Sequence, residues 1–133
     1  MGATGMSAGK ICNRNVTTTR RDSTIRKAAQ LMRTHHVGCL VVTEEKSGIT
    51  EPVGILTDRD IVMEVIAEEV DISAVTVGDI MSYALLKVHE SDSIIETAQR
   101  MRARGVRRVP VVSDSCELIG IIALDDILGL LSE

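Results

Sequence analysis

A chain of 133 residues, 44% hydrophobic and 26% charged, has the size and balance of a single soluble globular domain. Its formal net charge of −4 offers no attractive field to nucleic acid or anionic lipid. With one Tyr and neither Trp nor Phe, it lacks the aromatic platforms on which single-stranded nucleic acid stacks.

The opening stretch MGATGMSAGK has no apolar core of a signal peptide. Residues 1–13 read as a flexible leader, with Met6 as an alternative natural start. Ile25, Ala28, Ala29 and Met32 fall at helical spacing, with Asp22, Ser23 or Thr24 placed to cap the helix. VGCLVV and VGIL are apolar runs of strand length separated by a polar turn. From Asp58 to about Glu68 helical spacing returns through Ile61, Val62, Val65 and Ile66. Residues 71–83 read as a linker with a helical turn around Val77 to Met81. The same order then recurs: a helix near Asp92 to Arg104, strands VRRVPVV and LIGIIA, and a helix from Leu124 onward.

The recurrence is also one of residues. STIRKAAQLMR (Ser23 to Arg33) matches DSIIETAQRMR (Asp92 to Arg102) at an offset of 69. GILTDRDI (Gly54 to Ile61) matches GIIALDDI (Gly120 to Ile127) at an offset of 66. The first copy thus holds three extra residues, placed in the loop region Thr43 to Pro52, where insertions cost little. Two β-α-β-β-α repeats follow, residues 14–70 and 84–133, giving an α/β (α+β) fold.

The octets differ where chemistry is expected. Thr57 stands at a strand-to-helix junction, where a hydroxyl and first-turn N–H groups make an anion pocket. Asp60, three residues on, can accept hydrogen bonds from a ribose diol. The same Thr-x-x-Asp is also a capping-box signature that needs no ligand. The second copy keeps Asp126, but Ala123 replaces the threonine and Asp125 replaces Arg59. A set of five arginines, Arg100 to Arg108, crosses a helix end closed by Gly105; Arg107 and Arg108 begin a strand and point to opposite faces. Pro110 lacks an N–H, which places it on an edge or irregular strand. His35, His36, His89 and the three cysteines show no zinc-ligand spacing. Asp58, Asp60, Asp125 and Asp126 are helix-start acids, and no nucleophile-and-base set or phosphate loop is present. No apolar run approaches the ~18 residues of a membrane span. Cys12, Cys39 and Cys116, widely spaced and without a secretion signal, fit reduced thiols in a cytoplasm.

Taken together, VTTTRRDSTIRKAAQLM, VGDIM, GVRRVPVV and the first octet resemble a tandem pair of cystathionine-β-synthase (CBS) domains, a Bateman module. The resemblance implies two repeats packed as a pseudo-twofold pair with ligand clefts between them. It implies a non-catalytic, energy-sensing regulatory module for adenosine compounds: AMP, ADP, ATP, NAD(H) or S-adenosylmethionine. It assigns phosphate contact to Thr57 and ribose contact to Asp60, with Arg107 or Arg108 reaching the phosphate and Thr18, Asp58 and Pro110 lining the site. A second, weaker site falls on Asp126 and Asp125. It further implies a homodimer and an effector protein the sequence does not name. The rival expectation is a structural module that binds no nucleotide and dimerises through apolar helix residues such as Ile127, Leu128, Leu130 and Leu131.

Overall fold

The computed structural model describes residues 5–83 and 86–131, with the Leu131 side chain outside that description. It is a mixed α+β fold with a four-stranded and a three-stranded sheet. Contacts divide it into two compact units, one of Thr17–Gly48 and Pro52–Leu85, the other of Met1–Val16, Ile49–Glu51 and Leu86–Glu133.

A short helix, α1 (Ala8–Ile11), precedes the first repeat. That repeat comprises β1 (Thr18–Thr19), α2 (Ile25–His35), β2 (Cys39–Lys46), β3 (Ile49–Thr57) and α3 (Asp58–Ile61). A π-helical turn over Val62–Ile66 prolongs α3. After a 3-10 turn at Ile72–Ala74 come α4 (Val77–Ile80) and β4 (Ser82–Tyr83), and the sheet runs β1-β2-β3-β4. Thr24 starts α2, its Oγ1 accepting the Lys27 N–H at 3.1 Å. His36 ends it in the left-handed region at φ 54°. Ile25, Ala28 and Met32 face inward, onto Leu40 and Val42 of β2, Leu56 of β3 and Ile61 of α3. Burying each large aliphatic side chain contributes about 1.5–3 kcal/mol.

The second repeat copies this logic with β5 (Val88–His89), α5 (Ile94–Arg104), β6 (Arg108–Val112), β7 (Leu118–Ala123) and α6 (Leu124–Leu131), the sheet running β5-β6-β7. Ser93 caps α5, and Gly105 closes it at φ 68°. Ile94, Ala98, Met101, Val109, Val111, Ile122 and Ile127 form its core.

Part of the segment expected to be a flexible leader is built into this second core instead. Ala8 is fully buried there, with Met6, Ile11 and Cys12 packed against the cluster. The reason is a backbone fit. Ala8 N donates to Asp92 O (2.7 Å), Gly9 N to Glu90 O (2.8 Å), and Asn13 and Ile121 exchange two hydrogen bonds (2.9 and 3.0 Å). The stretch before β4 does the same in the other unit: Val77 N donates to Ser23 O (3.0 Å) and Gly78 N to Arg21 O (2.8 Å). The Ala8 and Gly9 contacts thus recur 69 residues along, and the Asn13–Ile121 pair has its counterpart in the pairing of Ser82 with Ile55. The first glycine of each octet makes room for its arm. A Cβ at Gly54 would lie 2.8 Å from Ser82 O, and one at Gly120 only 2.6 Å from Asn13 O.

One further expectation is half met and another is corrected. Pro110 lies on an irregular strand, as expected, since the β6–β7 register shifts between Val111 and Val112. That strand, β6, is however the central one of its sheet and not an edge, and Pro110 is buried in it. This is tolerated because β5 pairs with β6 only at Val111 and Val112, leaving the flank of Pro110 on that side without a strand partner. The three extra residues of the first repeat lengthen strands, not a loop. β2 and β3 run eight and nine residues around a tight Ser47–Gly48 turn with positive φ at both positions, as two-residue hairpins require. β6 and β7 run five and six.

Candidate functional site

The β3–α3 junction carries the first octet. Thr57 Oγ1 accepts the Asp60 N–H at 3.1 Å, and Asp60 Oδ2 accepts the Thr57 N–H at 2.9 Å, a complete capping box. The rest of the first turn is also satisfied: Asp58 N donates to Gly38 O (2.9 Å) and Arg59 N to Asp58 Oδ1 (2.8 Å). The open anion pocket expected of these N–H groups is therefore closed by the protein itself. A second Thr-x-x-Asp makes a related box at the start of α4, where Asp79 Oδ2 accepts both the Thr76 N–H at 2.9 Å and the Thr76 hydroxyl at 3.3 Å. Capping alone accounts for these residue types at this spacing.

The box leaves capacity. A threonine hydroxyl that accepts one hydrogen bond retains its own proton to donate, and a carboxylate has lone pairs on both oxygens. Thr57 and Asp60 are half-buried and held by two reciprocal bonds, so what remains is fixed in direction. Asp58 is exposed and, with Met32, Arg33, Thr34, His36 and Val37, lines a shallow depression of about 620 Å³. A Cβ at Gly38 would sit 2.9 Å from Asp58 Oδ2, the end of an exposed side chain. Thr18 is exposed on β1 opposite Val41, while its neighbour Thr19 is buried with an Oγ1 that finds no partner among the described residues.

The second octet is arranged differently. Arg107 Nη2 lies 3.0 and 3.2 Å from the two carboxylate oxygens of Asp125, so Asp125 is neutralised by an arginine of its own repeat. Both side chains are largely exposed, and such a pair is weakly held and screened by salt. Arg108 begins β6 opposite Ala123. Asp126 is exposed, its carboxylate without a hydrogen bond among the described residues. The structure thus joins Thr57, Asp58 and Asp60 in one junction and Arg107 with Asp125 in another. Burial pushes the Cys12 thiol above its ordinary pKa, which keeps it protonated and a poor nucleophile. Among the described residues no group of three or more His, Cys, Asp or Glu could hold a metal ion, and no helix is long and apolar enough to cross a membrane.

The CBS domain family profile matches residues 8–67 and 77–133. The chain belongs to the CBS domain family. Both matched segments open at the arm helices, α1 and α4, so the arm belongs to the family's repeating unit. Hypoxic response protein 1 of Mycobacterium tuberculosis is 35% identical over 127 residues, 96% of this chain and 86% of that one. An uncharacterised protein of Methanopyrus kandleri is 37% identical over 123 residues, 92% of this chain and 61% of that one. This CBS pair therefore spans less than two thirds of the Methanopyrus relative. The crystal structure of Hypoxic Response Protein I with two coordinated zinc ions superposes with a TM-score of 0.77 at 35% identity, covering 93% of this chain and 98% of that one. A CBS domain pair in complex with 5′-methylthioadenosine and S-adenosyl-L-methionine gives 0.79 at 25% identity, covering 96% of both chains. The chain is a tandem CBS module of the regulatory kind.

The helix residues expected to form a dimer face divide on inspection. Ile127 is fully buried in its own core and Leu130 packs partly against it, leaving Leu128 at 44% exposed; the Leu131 side chain lies outside the described residues. In the other unit Val62, Met63 and Ile66 are 49%, 48% and 66% exposed.

Proposed function

We propose that this module is a non-catalytic sensor that binds an adenosine-containing ligand at the first octet and passes the signal on through self-association or a partner protein. The observation that carries this reading is the unspent capacity of the capping box: one directed hydroxyl proton on Thr57 and one carboxylate oxygen, Asp60 Oδ1. A ribose diol matches Asp60, and a phosphate or other acceptor matches Thr57. The second octet has Asp126 but no hydroxyl at Ala123, so the first octet is the stronger of two unequal sites. A charge-assisted hydrogen bond contributes roughly 1.5–3 kcal/mol, a ten- to hundredfold difference in affinity. The relative whose structure contains 5′-methylthioadenosine and S-adenosyl-L-methionine supports the ligand class. Exposed Val62, Met63, Ile66 and Leu128 support self-association.

The closed first turn of α3 favours one rival, a structural module in which the box only caps. Thermal unfolding against AMP, ADP, ATP, NADH and S-adenosylmethionine separates the two. At a hundred times its dissociation constant a true ligand adds about 2.7 kcal/mol. Calorimetry then places the site: Asp60→Asn should abolish most of the binding and Asp126→Asn little. If no ligand moves the melting temperature, the structural module stands; an equal loss from both variants would mean that the first octet is not the dominant site. A light-scattering mass near 14.4 kDa at micromolar protein would exclude the dimer.

A further inference from the structure

The N-terminal arm is held as a guest in the second unit. Its ties are main-chain: Ala8 to Asp92, Gly9 to Glu90, Ile94 to the Met6 carbonyl, and the Asn13–Ile121 pair. Its seat depends on a residue without a side chain, since the Cβ position of Gly120 is taken by Asn13 O at 2.6 Å and Cys12 Sγ at 2.7 Å. Past Asn13 the chain runs through Arg14 and Asn15, both exposed and outside any regular element, and joins the other unit at Thr17. Among the described residues the hydrogen bonds of the 14–16 hinge run back to the arm and not to the other unit: Arg14 donates to Gly9 O at 2.8 Å and Asn15 N to Asn13 Oδ1 at 3.0 Å. The one other segment of the same pattern, residues 76–82, is already seated at Gly54.

We propose that the seat over Gly120 also accepts the arm of a second copy of this chain, so that two chains exchange residues 6–13. The partner is fixed by the chemistry of the seat. It must present a Gly at the Glu90 carbonyl, a small buried residue in place of Ala8 and an antiparallel backbone at Ile121, and this chain carries that sequence itself. A tethered arm has an effective concentration in the millimolar range. The closed form therefore dominates in dilute solution, and exchange grows when chains fold at comparable concentration.

Ser7 and Ser93 face each other in an antiparallel bridge, close enough for a disulfide. In Ser7→Cys/Ser93→Cys, a closed arm gives an intrachain bond and an exchanged arm an interchain bond, so a non-reducing denaturing gel separates them whatever other surfaces associate. Refolding from micromolar to millimolar chain before oxidation should raise the covalent dimer at least tenfold, with Ser93→Cys alone as background. Deleting Arg14–Val16 removes about 10 Å of reach and should make the dimer the main product at every concentration. Intrachain bonds alone across the whole refolding series would overturn the proposal. That series decides the matter even if the deletion variant fails to fold.

Discussion

Gly120→Ala is the sharpest test of the arm's role in stability. The added methyl would sit 2.6 Å from Asn13 O, 2.7 Å from Cys12 Sγ and 3.2 Å from Asn13 C, and two of these three are backbone atoms that cannot rotate away. Either the arm lifts or β7 bends. Overpacking of this sort costs about 1–3 kcal/mol. Lifting would also surrender the two hydrogen bonds between Asn13 and Ile121, each about 0.5–1.5 kcal/mol. Against this, alanine recovers roughly 0.5–1 kcal/mol of the backbone entropy that glycine loses. The net expectation is a loss of about 2–4 kcal/mol. For a protein of this size that corresponds to roughly 6–16 °C in melting temperature, read by far-UV circular dichroism. Gly129→Ala is the internal control, because a Cβ there meets nothing within 4 Å among the described residues in helix α6 and should stabilise by up to about 1 kcal/mol. If Gly120→Ala melts with the wild type, the arm does not sit where its backbone contacts place it.

Thr19→Val should stabilise by about 1 kcal/mol in urea titration, because Thr19 Oγ1 is buried without a partner among the described residues and the matching residue of the other repeat is Val88, fully buried. His36→Gly should also stabilise, by roughly 0.5–1 kcal/mol in the same assay, since φ 54° at His36 suits glycine and Gly105 holds the equivalent helix end at φ 68°. Thr57→Val should lower the urea midpoint by an amount equal to about 1 kcal/mol even without ligand, because the capping box goes with the hydroxyl; an unchanged midpoint would mean that the box contributes nothing.

The repeat and the strand and helix order were legible because apolar spacing acts locally, and the cap of α2, Thr24, was among the three candidates Asp22, Ser23 and Thr24. Ile25, Ala28 and Met32 declare a buried helical face whatever packs on it. The arm was not legible by that route. Four residues, Ala8–Ile11, are too few for a period, and their place depends on main-chain fit. The signal that was available is comparative: SAGKICN against TVGDIMS, with Gly9 matching Gly78 and Ile11 matching Ile80 at the same offset of 69. The π turn at Val62–Ile66 is invisible because its apolar spacing also fits an α-helix. Pro110 pointed to an edge or irregular strand, and the irregularity is there; that the strand is central was not legible, because strand order is a tertiary property. At the octet, capping and ligand contact ask for the same atoms at the same spacing, so sequence could name Thr57 and Asp60 but not choose between the cap, which the structure shows, and the proposed ligand contact.

The arm also sets an order of events during synthesis. Ala8 waits for Asp92, and Asn13 for Ile121, about 100 residues downstream. At roughly 5–20 residues per second the ribosome takes about 5–20 s to supply that partner. Helix α1 is thus made well before it can be seated, and for that interval Ala8, Ile11 and Cys12 are without the core they fill. The second arm waits for nothing, since Arg21, Ser23 and Gly54 all precede it. Two arms alike in sequence and seat therefore have unlike histories: the unit they leave complete first is the one that carries Thr57 and Asp60.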